Sequence, residues 1–322
     1  MYNNQTVSTF VILGFHNIIQ YQKFTFILFL LLYIFIIAGN TIIILVIYFD
    51  SHLHIPMYIF ISILSVVEIS IVTTVYPTLF ALFLNGKVYI SFNCCFLQMY
   101  AFDAFLVTEN FLLTVMSYDR YVAICFALRY HTIMTSKTSK ILICLCWLLG
   151  FLSPLAMIIM VYRLPFCGPN EIDHIFCDSS PLLTLACTNS NLDVTMDLSV
   201  SSFTIILNSL FIGIIYINIL STILKMRSSE ERKKAFSICM SHLIMALVFY
   251  GSVAFMYIQL QASYSPEYDL ATAIHQSILT PLLSPLIYSF RNKEIKNFIK
   301  KQFSSKTIIR KTNYAQRLGR NI

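Results

Sequence analysis

Few side chains in this sequence are equipped for chemistry, and those that are sit in unusual surroundings. Glu68, Asp103 and Glu109 each interrupt a long apolar run. Ionisable groups inside membrane-length apolar segments are costly, so they mark functional positions by default. Two carboxylates brought close together push one pKa up and can share a proton. Asp103, eight residues after Cys95, has the chemistry to pair with a cationic amine or to accept hydrogen bonds from a neutral group. Asp119 and Arg120 form an adjacent charged pair at the end of the same run, where an ion pair is cheap at a membrane edge and expensive any deeper. His52 and His54 read as a loop capping two helices rather than a metal pair. The His-Glu-x-x-His and Gly-x-Ser-x-Gly motifs are absent, and no other nucleophile clusters with a base, so the chain is not expected to be an enzyme.

The elements that must position these groups are long and apolar. The chain has 322 residues, 57% hydrophobic and 11% charged, with a mean hydropathy of +0.74. A soluble domain carries roughly 25% charged residues because its surface faces water; this one has a surface suited to lipid. A helix spanning the hydrocarbon core needs about 20 mostly apolar residues. Seven segments qualify, at about 24–49, 57–84, 92–126, 139–161, 195–224, 235–260 and 271–290. They are too long, and alternate too little, for barrel strands. The expected fold is an all-α membrane protein, a seven-transmembrane helix bundle. Residues 1–23 form the N-terminus, 24–290 the bundle, and 291–322 a tail with a short amphipathic helix at 292–303 lying on the inner membrane surface.

Charge orients the bundle. Of 22 Lys and Arg, three (Lys23, Lys87 and Arg163) fall on one set of loops and nineteen on the other, ten of them after Phe290. Lys and Arg favour the cytoplasmic side, so the N-terminus is expected outside and the tail inside, at the plasma membrane. This placement also argues for a lipid bilayer rather than nucleic acid as the partner of the net +7 charge. No cleavable signal peptide is apparent, and the first span is expected to remain as an uncleaved anchor. The sequon at Asn4 then lies where it can be glycosylated.

Nine cysteines are present. Cys95, Cys167, Cys177 and Cys187 share the outer face, where two disulfides are expected with three possible connectivities. The favoured set is Cys95–Cys177 with Cys167–Cys187; Cys95–Cys187 is the alternative. A bridge from the third span to the long outer loop would pin a lid over the bundle. Cys125, Cys144, Cys146 and Cys239 are expected to be free. No structural metal is expected, His174 being the one nearby extra ligand.

Several strings then occur in order along these spans: Gly39-Asn40; Leu53-His54-Ile55-Pro56-Met57-Tyr58; Met116-Ser117-Tyr118-Asp119-Arg120-Tyr121-Val122-Ala123-Ile124-Cys125; Lys234-Ala235-Phe236-Ser237-Ile238-Cys239-Met240-Ser241-His242; and Pro281-Leu282-Leu283-Ser284-Pro285-Leu286-Ile287-Tyr288. Together with the spaced cysteines of the outer loop, they resemble the odorant (olfactory) receptor family of rhodopsin-like G-protein-coupled receptors over about residues 10 to 300. Three departures are visible: Ala127 where that family usually has Pro, Ser284 where it usually has Asn, and Cys94 where Gly is common.

The resemblance implies a sensory receptor that binds a small odorant within the bundle and activates a stimulatory heterotrimeric G protein of the olfactory type, raising cAMP. It implies that Asp119, Arg120 and Tyr121 act as a switch. Tyr216, His242 and Tyr288, polar groups near the inner half, either rearrange with Arg120 during switching or hydrogen-bond within the bundle. It places Glu68 and Glu109 near the family's interior cation site, where Na⁺ would neutralise them; no other cofactor is implied. Helical spacing puts Asp103, Leu106, Val107 and Asn110 on one face. By resemblance, Ser201, Thr204 and Ile205 of the fifth span and Tyr250, Val253, Ala254 and Tyr257 of the sixth complete the ligand site. The alternatives are a non-olfactory chemosensory receptor and, in another class, a transporter or channel. The last would need internal repeats and a polar mid-membrane path, and no repeat is found.

Overall fold

The computed structural model describes residues 7–14, 22–166, 169–187, 191–262 and 266–291, with backbone alone at 22, 191–204, 238, 252–262, 266–269 and 289–291. Asn4, Cys167 and the expected helix at 292–303 lie outside the described residues.

Among the described residues, seven helices are long and apolar enough to cross a membrane. The first three are α1 (Gln22–Phe49), α2 (Pro56–Asn85) and α3 (Phe92–Cys125). Each starts where its sequence supplies a start signal. Pro56 occupies the first turn of α2, where its missing N–H costs nothing, and Ser91 caps α3 by accepting a hydrogen bond from Cys94 N–H. At 34 residues α3 is about 51 Å long. It packs against α2 and against the helices of the fourth, fifth and sixth spans.

The fourth span, expected as one helix, is broken. After the short α4 (Tyr130–Ile133), α5 (Ser136–Leu152) stops and α6 (Leu155–Tyr162) resumes around Ser153-Pro154, because Pro154 has no N–H to continue the ladder. The backbones of α3 and α5 approach closely beside this break. A Cβ built on Gly150 would lie 2.0 Å from Thr108 Oγ1, so only glycine fits. The loop after α6 then forms the short α7 (Ser179–Thr184), followed by α8 (Asn191–Lys225) and α9 (Ser229–Ala262). The seventh span is also interrupted: α10 (Pro266–Ile274) passes through a π-helical turn, His275–Leu279, into α11 (Thr280–Arg291).

The distribution of polarity is the reverse of that in a water-soluble protein. Leu210 and Leu224 are 61% and 72% exposed on the outside, while Glu68, Glu109 and Asp119 are fully buried within. A lipid-facing surface needs apolar residues outside, and the polar groups must find partners inside.

A small sheet, which the sequence did not suggest, closes the end of the bundle near Cys95. Strand β1 (Thr9–Ile12) lies between β2 (Val88–Ser91), antiparallel with Thr9 opposite Ser91, and β3 (Glu171–Ile172), parallel with Val11 opposite Glu171. Phe10 and Ile12 point inward and are fully buried, with the Phe10 ring 5.7 Å from Phe92 and 5.6 Å from Phe166.

Candidate ligand cavity and switch

Helix α3 carries the site from end to end. At the sheet end, Cys95 is bonded to Cys177. Cys187 is also disulfide-bonded, and its expected partner Cys167 lies outside the described residues. Cys94, Cys125, Cys144, Cys146 and Cys239 are free. Loop residue Phe176 packs on Phe102 with ring centroids 4.7 Å apart. Asp178 caps α7 by accepting a 2.8 Å hydrogen bond from Ser179 N–H. Burial pushes the Asp178 carboxyl above the usual carboxylate range, and that hydrogen bond opposes the shift.

Below this lid lie the half-buried Asp103, Leu106 and Val107, and the buried Asn110. The Tyr250 hydroxyl of α9 donates to Asn110 Oδ1. One turn further, the Thr114 hydroxyl is 3.0 Å from both the Asn110 carbonyl and Asn208 Oδ1 of α8, and its single proton is shared between them. These contacts join α3 to both α8 and α9. Ile205 is half-buried on α8. For the expected contacts Ser201, Thr204, Val253, Ala254 and Tyr257 only the backbone is described.

Beside this layer is a pool of polar atoms. Both oxygens of Glu68 and of Glu109, with Asn40 Oδ1, Ser65 Oγ, Ser284 Oγ and the Tyr288 hydroxyl, are buried without a hydrogen-bond partner among the described residues. Glu109 lies close enough to act electrostatically on Glu68, and Asn40 and Ser284 flank the Glu68 carboxyl without completing a hydrogen bond of ordinary geometry. Buried polar atoms normally have partners. This all-oxygen donor set suits a hard cation or ordered water and lacks the nitrogen and sulfur ligands of a zinc site. Asn40 also has a structural task. Pro285 cannot donate to the carbonyl four residues earlier, and Asn40 Nδ2 supplies that donor, 3.3 Å from Pro281 O. A Cβ on the adjacent Gly39 would meet Pro285 at 3.1 Å, so α1 and α11 touch almost backbone to backbone there.

At the far end of α3 the contacts are polar. Nε2 of His242 lies 3.1 Å from the Leu113 carbonyl. A carbonyl only accepts, so Nε2 carries the proton and Nδ1 accepts the 2.5 Å hydrogen bond from the Tyr216 hydroxyl. The two rings stack at 11°. This links α8, α9 and α3. Asp119 is fully buried, and one of its oxygens is paired with Arg120. Its other oxygen accepts a 2.8 Å hydrogen bond from Tyr130 of α4. Burial, and then the negative charge of Asp119, push the Tyr130 hydroxyl above the usual tyrosine range, so it stays a donor. Tyr121 packs edge-on to Phe126.

Comparison with known proteins agrees with this arrangement. Residues 29–306 match the olfactory receptor family. The chain is 45% identical over 300 residues to human olfactory receptor 6N1, covering 93% of this chain and 96% of the relative. It is 42% identical over 309 residues to human olfactory receptor 6K3, covering 96% and 93%. It is 41% identical over 304 residues to human olfactory receptor 10R2, covering 94% and 91%. The chain belongs to the olfactory receptor family. It is therefore a multi-pass membrane receptor of the G-protein-coupled class and not an enzyme.

In this olfactory receptor, sequence reasoning missed four polar side chains that the fold brings into the site: Gln98, Thr114, Asn208 and Tyr130. Thr114 and Asn208 carried a usable signal, since both are polar residues within apolar spans. Tyr130 stood in the string Leu128-Arg129-Tyr130, but its contact crosses from a separate four-residue helix, which no spacing rule reaches.

Proposed function

We propose that the receptor binds a small odorant among α3, α8 and α9 beneath the disulfide-held lid and activates a stimulatory heterotrimeric G protein at the Arg120 end, raising cAMP. The observation that supports this best is the ladder of polar contacts along α3, from Asn110–Tyr250 through Thr114–Asn208 and Tyr216–His242 to Asp119–Arg120. The first two rungs tie α3 to α9 and α8, the third joins α8 to α9 and reaches α3 through His242 and the Leu113 carbonyl, and the last holds Arg120 at rest. A ligand that touches α9 near Tyr250 and binds one arrangement more tightly shifts the population of all the rungs below. Displacing α9 separates Tyr216 from His242 and frees Arg120 to meet the G protein.

In this reading Asp103, Leu106, Val107 and Asn110 contact the ligand with Ser201, Thr204, Ile205, Tyr250, Val253, Ala254 and Tyr257. Asp103 pairs with an amine or accepts hydrogen bonds from a neutral odorant. Na⁺ sits between Glu68 and Glu109, supported by their unpartnered oxygens. The lid faces outside, with Asn4 in reach of glycosylation, and the nineteen inner Lys and Arg face the cytoplasm and its anionic leaflet.

The test is cAMP production in cells supplied with an olfactory-type G protein, using a mixed panel of matched amine and neutral odorants with surface level monitored. A parent response abolished in Arg120→Ala at equal surface level supports the switch. Loss of amine responses alone in Asp103→Asn supports an amine contact. A response that survives Arg120→Ala refutes the switch assignment.

A further inference from the structure

Beside the Cys95–Cys177 bridge, one side chain uses its whole amide to join three parts of the receptor. Gln98 lies one turn below Cys95 on α3. Its Nε2 donates to the Thr74 carbonyl of α2 at 2.9 Å and to Thr78 Oγ1 at 2.8 Å. Its Oε1 accepts from Cys177 N–H at 3.1 Å. Both amide protons and the amide oxygen are thus engaged. The contact on α2 sits beside Pro77, which supplies no helical N–H, in a stretch where α2 and α3 pack together.

The consequence is a second attachment for the loop. Cys177 is fully buried. Its sulfur is tied to residue 95 and its backbone to residue 98, three positions apart on the same face of α3. A disulfide alone leaves the backbone free to rotate about the bridge; a backbone hydrogen bond on the same residue removes that freedom. Phe176, packed on Phe102, and Asp178, capping α7, flank Cys177 on either side.

We propose that Gln98 is a positioning residue for the ligand site: it sets the pitch of the loop segment Phe176–Asp178 over α3 and so fixes the roof of the cavity. This rests on the ligand-cavity reading above, and the experiment separates the two.

The purified full-length receptor, as parent, Gln98→Leu and Gln98→Glu, is followed by amide hydrogen exchange, which needs no odorant. Gln98→Leu is expected to speed exchange at Cys177 and its neighbours by up to about 10-fold, the factor corresponding to one neutral hydrogen bond. Exchange across α5 and α8 is expected to stay unchanged. Gln98→Glu keeps the acceptor for Cys177 N–H while losing both donors to α2, so exchange at Cys177 stays near the parent value. In cells, dose–response curves to straight-chain alcohols, aldehydes, acids and amines are expected to move to about 10-fold lower potency in Gln98→Leu with the maximal response retained. Unchanged exchange at Cys177 in Gln98→Leu overturns the proposal, as does faster exchange spread evenly over the bundle or an equal effect in Gln98→Glu. Faster exchange at Cys177 with unchanged potency also overturns the roof role; it then counts against the cavity lying beneath this loop, and the Arg120→Ala result still judges receptor activity by itself.

Discussion

The two ends of α3 are built from different materials. At the lid end the third helix is held by a disulfide, a three-stranded sheet and packed aromatic rings around Phe10, Phe92 and Phe166. Toward the Arg120 end it is held by single hydrogen bonds, from Tyr130 to Asp119 and from His242 to the Leu113 carbonyl, beside the Asp119–Arg120 pair within the helix itself. A disulfide does not exchange partners on a signalling timescale, whereas single polar contacts, worth about 1 kcal/mol when neutral and about 1.5–3 kcal/mol to a charged group, can be traded for others. On the proposed reading the difference separates positioning from switching: one end of the helix serves as a fixed frame and the other as a set of exchangeable latches.

The largest expected effect breaks the fixed end. Cys95→Ser or Cys177→Ser should cost about 2–5 kcal/mol and reduce surface expression, read by antibody against an N-terminal tag, to near background. Cys125→Ser, which removes a free cysteine, should stay close to the parent. Next is the close approach at mid-bundle. Gly150→Val collides with Thr108, and overpacking of about 1–3 kcal/mol should lower both surface level and melting temperature.

Smaller effects sharpen the contrast at the weak end. Tyr130→Phe leaves one oxygen of the buried Asp119 without its donor. With Tyr130 holding the resting arrangement, basal cAMP at equal surface level should rise by about 10-fold, the factor for roughly 1.5 kcal/mol, the low end for a hydrogen bond to a charged group. The smallest effect is on pH dependence. The Asp178 carboxyl is raised above the ordinary value near 3.9 by burial. Such a group adds stability below its unfolded-state pKa and loses it as pH rises through the higher folded-state value. The parent's melting temperature should therefore fall as pH rises from about 4 through the raised pKa, and Asp178→Asn should flatten that slope.

The sequence disclosed the long-range plan of the molecule better than its joints. Apolar runs of membrane length left little freedom in the placement of α1, α2 and α3, and buried charges such as Glu68 and Glu109 stood out against them. The lid sheet was illegible: Thr9–Ile12 and Val88–Ser91 are four residues each, and their pairing depends on loops distant in the chain. Pro154 was visible, but not the resumption of the helix at Leu155, which tertiary packing decides. Polar contacts between helices were partly legible as residue types and not as pairs. Asn40 could be matched to a family string, yet its service to the Pro281 carbonyl follows only once α1 and α11 are side by side. Ser284, a departure from the usual Asn, is buried beside Glu68 all the same.

The most direct test of a fixed end and a switching end is a pair of spin-label distances in the purified receptor, with and without a nucleotide-free stimulatory G protein. One pair spans the Arg120 end, at Lys137 of α5 and Lys233 of α9; the other spans the lid, at Tyr89 and Glu171. The account predicts that the first distance lengthens by several ångströms while the second keeps its value. A lid pair that moves while the Arg120-end pair stays fixed would contradict it.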